Sequence, residues 1–137
     1  MGDVKVVFTN GCFDLLHVGH IRYLAAAKLH GDWLIVGLNS DESFRRHKGR
    51  NPINCEQWRY EMLMALGCVD EVRIFDEDTP ERLLSEIEPN ILVKGADYKP
   101  EDVLGREHAK KVLCLEVGAQ VHTSDLFEKI RIHFQGV

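Results

Sequence analysis

The sequence predicts an α/β fold, a Rossmann-like doubly wound parallel sheet in a single domain over residues 1–137. Apolar segments of strand length alternate along the chain with segments of helical spacing, which is typical of parallel sheets. The strand segments are continuously apolar, as expected where helices cover both faces of a sheet. With 137 residues, 45% of them hydrophobic, the chain is long enough to bury one core. In such sheets ligands bind beyond the carboxyl ends of the strands, where the strand order reverses.

The first predicted unit is a buried strand followed by a helix. The apolar, β-branched run Val4–Thr9 predicts the strand. Gly11 lies where this strand must turn, and a residue without Cβ lets a ligand approach the backbone there. The helix that follows has residues spaced for one inward face, namely Leu24, Ala25, Ala26 and Leu29.

The middle of the chain predicts two further strands around a polar segment and a helix. Trp33–Asn39 is a second buried strand after a Gly31-Asp32 turn, and Val69–Phe75 alternates like a strand near the sheet edge. Residues 40–53 are polar and basic, which predicts a long loop. A helix is expected from about Glu56 to Leu66, with Trp58, Met62, Leu63 and Leu66 inward and Arg59 on another side.

The last third predicts two strands and two longer helices. Thr79-Pro80-Glu81 is a helix start, with an N-cap and then proline at the first position of a helix that runs to Ile87. Asn90–Lys94 and Val112–Val117 are strands, residues 99–111 include a short helix, and 118–121 form a turn or short strand. Thr123 or Ser124 caps a final helix with Leu126, Phe127 and Ile130 inward. If the first and fourth strands are neighbours, Asn10-Gly11 and Lys94–Asp97 converge on one cleft.

Composition and charge exclude several classes of function. A net charge of -5 argues against a nucleic-acid partner, although Arg45–Arg50 is a basic run. The four cysteines form no C-x-x-C pair, so zinc binding and dithiol redox chemistry lose support. The sequence has no signal peptide, membrane-spanning run or myristoylation site. We therefore expect a cytoplasmic enzyme or binding domain with no membrane partner.

The most informative segment runs from Asn10 to His20. His17 and His20 are three residues apart and share one face at the first turn of the predicted helix. Free N–H groups and the positive end of the helix dipole make that turn a seat for phosphate, to which the imidazoles can donate. The pair has other interpretations: two surface histidines, or half of a zinc site with Asp14, for which no second ligand cluster exists. A dinucleotide fingerprint is disfavoured because G-x-G-x-x-G is absent.

The complete pattern G-x-F-D-x-x-H-x-G-H over Gly11–His20 resembles the signature of the class I nucleotidyltransferase family, whose H-x-G-H holds nucleotide phosphates. A narrower resemblance, to bacterial heptose-1-phosphate adenylyltransferases, covers the chain from about Val4 to Ile130. It rests on Lys48–Asn54, Arg59, Val69–Val72, Glu77–Pro80 and Leu92–Glu101.

The narrower resemblance implies a reaction and its partners. Those enzymes join AMP from ATP to D-glycero-D-manno-heptose 1-phosphate and release pyrophosphate, and the ADP-heptose feeds lipopolysaccharide core assembly. Mg²⁺ is expected to enter on the nucleotide phosphates. In many relatives this domain is fused to a sugar kinase, so here a separate kinase is expected to supply the substrate. Family members often form dimers, to which Trp58 or the edge strand would contribute.

The chemistry of the reaction indicates candidate site residues. Attack of a sugar phosphate on the α-phosphorus builds negative charge on oxygens, so catalysis needs alignment and charge neutralisation without a protein nucleophile. We therefore expect His17, His20 and Lys48 to be catalytic. The expected nucleotide contacts are Asn10, Gly11, Cys12, Phe13, His17, His20, Arg59, Gly95, Asp97, Tyr98, Thr123 and Ser124. The expected substrate contacts are Asp14, Lys48 and Lys94, with no metal ligand in the protein.

Several of these residues have simpler interpretations, which the sequence leaves open. Lys48 belongs to a basic run and Arg59 to a helix, so either side chain can be solvated. Asp97 suits a turn, and Cys12 suits a small filler in the fold. Helix capping alone would explain Thr123-Ser124.

One segment departs from the pattern of the family. Relatives carry S-T-T or S-T-S where this chain has His122-Thr123-Ser124, in a loop that normally helps to hold the nucleotide. This leaves open a cytidylyltransferase acting on glycerol 3-phosphate or a related small phosphate, an FAD-synthase-like enzyme, or a nucleotide-binding module without turnover. The run Val93–Tyr98 favours the heptose enzyme over the cytidylyltransferase.

Overall fold

The computed structural model describes residues 3–117 and 122–135. Its strands and helices are β1 (Val6–Gly11), α1 (Val18–Lys28), β2 (Trp33–Asn39), α2 (Asp41–Lys48), α3 (Glu56–Met64), β3 (Glu71–Phe75), α4 (Glu81–Ile87), β4 (Ile91–Gly95), β5 (Lys111–Leu115) and α5 (Thr123–Gln135), with 3₁₀ turns at Pro100–Asp102 and Arg106–His108. The strands form one parallel sheet in the order β3-β2-β1-β4-β5. The predicted Rossmann-like sheet is therefore confirmed, as is the neighbourhood of the first and fourth strands.

The sheet is buried on both faces because successive residues of its strands enter two separate cores. Val7, on β1, packs in one cluster with Leu24 of α1 and Leu63 of α3. Phe8, the next residue, packs on the other face with Leu84 of α4. Each such side chain is fully buried and contributes about 1.5–3 kcal/mol to folding. The sheet thus holds the carboxyl ends of β1 and β4 in a fixed relation.

The prediction of a loop over residues 40–53 is wrong for Asp41–Lys48, which form α2. Ser40 caps this helix by accepting a hydrogen bond from the Ser43 N–H at 3.1 Å. Acidic residues occupy its first turn and basic residues its last turn, as the helix dipole favours. Gly49 ends the helix with φ of 71°, a conformation in which glycine has no steric penalty.

The expected inward faces of three helices are partly wrong. Leu24 is buried, but Ala25 is exposed and Leu29, beyond the end of α1, is 86% exposed. On α3 the outcome is the reverse of the prediction. Trp58, expected to face inward, is 59% exposed, and Arg59, expected on another side, is fully buried.

Ile130 of α5 is 49% exposed, so only part of the expected face of that helix is covered. Instead of a Thr123 or Ser124 cap, the start of α5 has the His122 N–H donating to the Asp125 carboxylate at 2.9 Å. The predicted turn or strand over 118–121 lies outside the described residues.

Other boundaries shift by one or two residues. β1 starts two residues later than expected, since Val4 is exposed, and extends to Gly11. β3 is an edge strand, as predicted, and begins at Glu71. Pro80 precedes α4 as its N-cap residue rather than lying inside the helix. The short helix expected in 99–111 takes the form of the two 3₁₀ turns.

Candidate active site

An open cavity of about 1080 Å³ lies where the carboxyl ends of β1 and β4 meet. The expected convergence of the two strands is direct, because Lys94 Nζ donates to Asn10 Oδ1 at 2.6 Å. The end of α2 and the start of α5 complete its walls. Of the candidate site residues, the lining includes Asn10, Gly11, Cys12, Phe13, Asp14, His20, Lys48, Lys94, Gly95, Tyr98, Thr123 and Ser124.

The two signature histidines stack on each other at the first turn of α1, with ring centroids 3.8 Å apart. Nδ1 of His17 accepts from the Gly19 N–H at 3.1 Å, and Nδ1 of His20 accepts from the His17 N–H at 3.3 Å. A neutral imidazole that accepts at Nδ1 carries its proton on Nε2. The backbone of α1 therefore selects one tautomer for both rings, and each presents an Nε2–H donor.

Both imidazoles are neutral near pH 7. Burial, together with the adjacent His17, lowers the pKa of His20 to about 4. Burial also lowers the pKa of His17. The charge of His122 lowers this pKa further, and the charge of Asp125 raises it. His122 and Asp125, at the start of α5, are therefore among the groups whose charge bears on His17. At that pH the pair offers oriented N–H dipoles rather than positive charge.

Gly11 and Phe13 position His20. Phe13 has φ of 48°, a left-handed conformation that is uncommon for a bulky residue. Its ring lies edge-on to His20, with centroids 5.2 Å apart. A Cβ added at Gly11 would lie 2.9 Å from Cε2 of that ring. The space beside Gly11 that the sequence suggested for a ligand is thus occupied by Phe13, and glycine is needed there for packing.

Asp14 lines the cavity and holds a loop, and its expected direct contact with substrate stays a prediction. The side chain is 4% exposed, and its carboxylate accepts from the Ile53 N–H at 3.0 Å and the Asn54 N–H at 2.9 Å. Arg50 approaches the same carboxylate at 3.4 Å. Both carboxylate oxygens are already bonded, so Asp14 fixes the segment between α2 and α3 against the signature.

Arg59 likewise holds backbone segments together and lies outside the cavity lining, and its expected contact with the nucleotide stays a prediction. Its guanidinium is fully buried and donates to the carbonyls of Asn54, Cys12 and Asn39 at 2.9, 2.9 and 2.7 Å. It also donates to the Asp41 carboxylate at 2.8 Å. Four of its five N–H donors are therefore bound to protein, and the side chain joins the loop after β1 to the end of β2.

The loop after β4 contributes a cation and an aromatic ring. Lys94 lies 5.3 Å from the centroid of Tyr98, and burial lowers the pKa of Lys94. Asp97 folds back over Gly95, where a Cβ would meet its Oδ1 at 2.8 Å. Asp97 is exposed and outside the cavity lining, which agrees with its turn-forming interpretation. Cys12 suits a filler, because burial raises the pKa of its thiol.

Sequence reasoning missed several residues of the cavity. The guanidinium of Arg50 lies between Phe44 of α2 and Phe127 of α5, at 5.1 and 5.2 Å from the ring centroids. It thereby links α5 to the rest of the site. The lining also includes Asp78 and Thr79 from the connection between β3 and α4. The basic run was a signal for Arg50, and the run Glu77–Pro80 was a signal for Asp78 and Thr79, whereas the contact with Phe44 depends on helix α2, which the sequence did not predict.

Two further findings concern the part of the chain that the structure describes. No three His, Cys, Asp or Glu side chains in residues 3–117 and 122–135 are grouped so that they could hold a metal ion. None of the helices in those ranges has the length and apolar character needed to cross a membrane.

The chain belongs to the cytidylyltransferase-like family of nucleotidyltransferases, whose model matches residues 8–126. It is 54% identical over 128 residues to the bifunctional protein HldE of Helicobacter pylori (strain G27), and 50% identical over 131 residues to that of Campylobacter concisus (strain 13826). These matches cover 93% and 95% of the chain but 28% of each relative's length. A crystal structure of the lipopolysaccharide core biosynthesis protein from Thermoplasma volcanium GSS1 aligns with a TM-score of 0.73 and 29% identity. That alignment covers 84% of this chain and 99% of the other.

Proposed function

We propose that the chain transfers AMP from ATP to a sugar 1-phosphate, D-glycero-D-manno-heptose 1-phosphate, with release of pyrophosphate. The observation that carries this proposal is the stacked pair His17 and His20, two neutral imidazoles with oriented Nε2–H donors at the end of β1. Cationic groups complete the surroundings, since Lys48 and Lys94 line the cavity together with His20. His17 is stacked on His20 and lies outside the lining. Such a set suits phosphate oxygens whose charge rises during reaction.

The transfer needs no protein nucleophile. An oxygen of the sugar phosphate forms a bond to the α-phosphorus of ATP, while the bond from that phosphorus to the bridging oxygen breaks and the electron pair leaves with pyrophosphate. The two imidazoles would donate hydrogen bonds to phosphate oxygens, and Lys48 would neutralise charge as a point cation. Alignment of the two substrates supplies much of the remaining rate enhancement.

Mg²⁺ is proposed to arrive bound to the triphosphate. The residues of the cavity fit this arrangement, because Asp14, its buried carboxylate, is already bonded to the backbone of Ile53 and Asn54. Imidazole N–H groups and ammonium groups are donors, which suit phosphate oxygens and not a cation. When bound, the ion would neutralise the departing pyrophosphate.

The acceptor and the cellular context are also proposals. A sugar acceptor is supported by the similarity to a protein described as acting in lipopolysaccharide core biosynthesis, and by the heptose-type motifs of the sequence. A sugar kinase activity would supply the phosphorylated substrate, in the cytoplasm. Trp58, exposed on α3, would take part in a homodimer if one forms.

A cytidylyltransferase acting on a small phosphate is the second candidate, favoured by the description of the matching family and by His122-Thr123-Ser124 at the start of α5. Pyrophosphate release measured with ATP and CTP against a panel of sugar and polyol phosphates separates the two. Release with ATP and a heptose 1-phosphate is the expected result. Release only with CTP and glycerol 3-phosphate would contradict the proposed substrates, and nucleotide binding without release for every pair would indicate a binding module.

A further inference from the structure

One wall of the cavity has only one residue with a role in the proposed function. It is formed by the end of α2 and by the connection between β3 and α4, and we call it the α2–α4 wall. Its members are His47, Lys48, Asp78, Thr79 and Pro80. At about 1080 Å³ the cavity is larger than a single small-molecule ligand requires, so a second ligand has room beside a nucleotide.

The α2–α4 wall is held rigidly from α2. Arg46 Nε donates to Asp78 Oδ1 at 2.8 Å, and the same guanidinium donates to the carbonyl of Asp76. His47 Nε2 lies 2.6 Å from the carbonyl oxygen of Asp78. Ser43 Oγ donates to the carbonyl of Glu77 at 2.9 Å. Three successive residues are thus bonded to one helix, and the wall is ordered before any ligand arrives.

Asp78 lines the cavity and keeps one carboxylate oxygen without a hydrogen bond from the described residues. Its Oδ1 is bound to Arg46, while Oδ2 has no hydrogen bond from any residue within 3–117 or 122–135, and the side chain is 68% exposed. The Arg46 guanidinium lowers the pKa of Asp78, so the group stays ionised and only accepts hydrogen bonds. The neighbouring Thr79 hydroxyl accepts weakly from the Glu81 N–H at 3.5 Å, and its proton has no acceptor among the described residues.

A carboxylate oxygen beside a hydroxyl donor suits the hydroxyl groups of a polyol, and a carboxylate repels phosphate. We propose that Asp78 and Thr79 recognise hydroxyl groups of a phosphorylated sugar acceptor, an inference that rests on the proposed function. Lys48, on the same wall, lies where it can hold the phosphate of that acceptor. The α2–α4 wall is therefore the part of the cavity that selects a polyhydroxylated acceptor.

The test is Asp78→Asn, which keeps the size of the side chain and removes its charge. The acceptor is titrated calorimetrically in the presence of a non-hydrolysable ATP analogue, and its KM is measured by pyrophosphate release. Loss of a hydrogen bond to a charged group should weaken acceptor binding by about tenfold to a hundredfold. Binding of the ATP analogue should stay within about twofold of wild type, because the proposal assigns the substituted oxygen to the acceptor and not to the nucleotide.

Asp76→Asn is the matched control, since Asp76 lies two residues earlier, is exposed and is outside the cavity lining. It should bind the acceptor like wild type. Methyl phosphate, which has no alcohol hydroxyl, should bind Asp78→Asn at least as tightly as wild type, because the substitution removes a carboxylate that repels phosphate. Arg46→Gln keeps the carboxylate but loses its anchor, and should cause a smaller loss than Asp78→Asn.

The proposal is overturned if Asp78→Asn binds the acceptor as tightly as Asp76→Asn, or if it weakens methyl phosphate as much as the sugar phosphate. It is also overturned if Arg46→Gln reproduces the full loss, which would assign Asp78 to holding the loop. If the wild-type protein releases no pyrophosphate with any pair of nucleotide and acceptor, the proposed function is wrong. The calorimetric titration still decides whether Asp78 recognises the sugar.

Discussion

Replacing Arg59 by Met is expected to destabilise the protein strongly, because four hydrogen bonds inside the fold are lost. Methionine matches the length of the aliphatic stem but has no N–H donor. The change leaves the Asp41 carboxylate without its buried partner and three carbonyls, those of Cys12, Asn39 and Asn54, without a donor. Asp41 is partly exposed, so the loss of this ion pair together with the three hydrogen bonds to buried backbone costs about 3–5 kcal/mol. For a chain of this length, the loss lowers Tm by about 10–20 °C.

Thermal unfolding followed by circular dichroism measures the effect, with Arg45→Met as control. Arg45 belongs to an exposed ion pair with Glu42 on α2, and such pairs contribute about 1 kcal/mol or less. The Arg45 variant should therefore melt within a few degrees of wild type. If Arg59→Met melts at the same temperature as Arg45→Met, the buried guanidinium is not what holds these segments together, and the reasoning is refuted.

Two further predictions concern the signature itself. The pKa of His20 is about 4 in the folded protein and 6.5 in an ordinary histidine. Between these two pH values the unfolded chain binds a proton at His20 and the folded protein does not. The free energy of unfolding therefore falls as the pH is lowered from about 6.5 towards 4. His20→Asn should show a smaller loss between about pH 7 and pH 5 in chemical denaturation; an identical loss would contradict the assignment. Gly11→Ala should lower the free energy of unfolding by about 1–3 kcal/mol, because the new Cβ would lie 2.9 Å from the Phe13 ring. The control Gly67→Ala places its Cβ where no atom lies within 4 Å, and it should be nearly neutral in the same assay. Equal denaturation midpoints for the two alanine variants would show that Phe13 moves aside without cost.

The order of strands and helices could be predicted from the sequence because the inner strands are largely apolar runs and the edge strand β3 alternates between apolar and charged residues. Trp33–Asn39 was predicted with its observed bounds, and the meeting of the first and fourth strands follows from the topology of such sheets. Helix α2 was missed because its polar, basic residues have no apolar stripe long enough to indicate a helix. Its evidence was local instead: the cap Ser40 and the terminal Gly49.

The roles of Arg59 and Asp14 could not be predicted because their partners lie far away in sequence. Arg59 bonds a carbonyl 47 residues earlier, and Asp14 bonds backbone amides about 40 residues later. Periodicity places charged residues outside, whereas a guanidinium whose donors are satisfied is stable in the interior. By contrast, the histidine pair was predicted correctly as neighbours on one face of α1, since helical spacing alone brings them together.

The central claim is that oriented imidazole N–H groups stabilise the phosphates during transfer, and His17→Asn tests it most directly. Asparagine can still cap α1 as His17 does, but it has no group at the position of Nε2. Pyrophosphate release should fall by about 100-fold to 1000-fold with an unchanged melting temperature, while His30→Asn, an exposed histidine beyond α1, should be as active as wild type. A His17→Asn protein that releases pyrophosphate at the wild-type rate would contradict the claim.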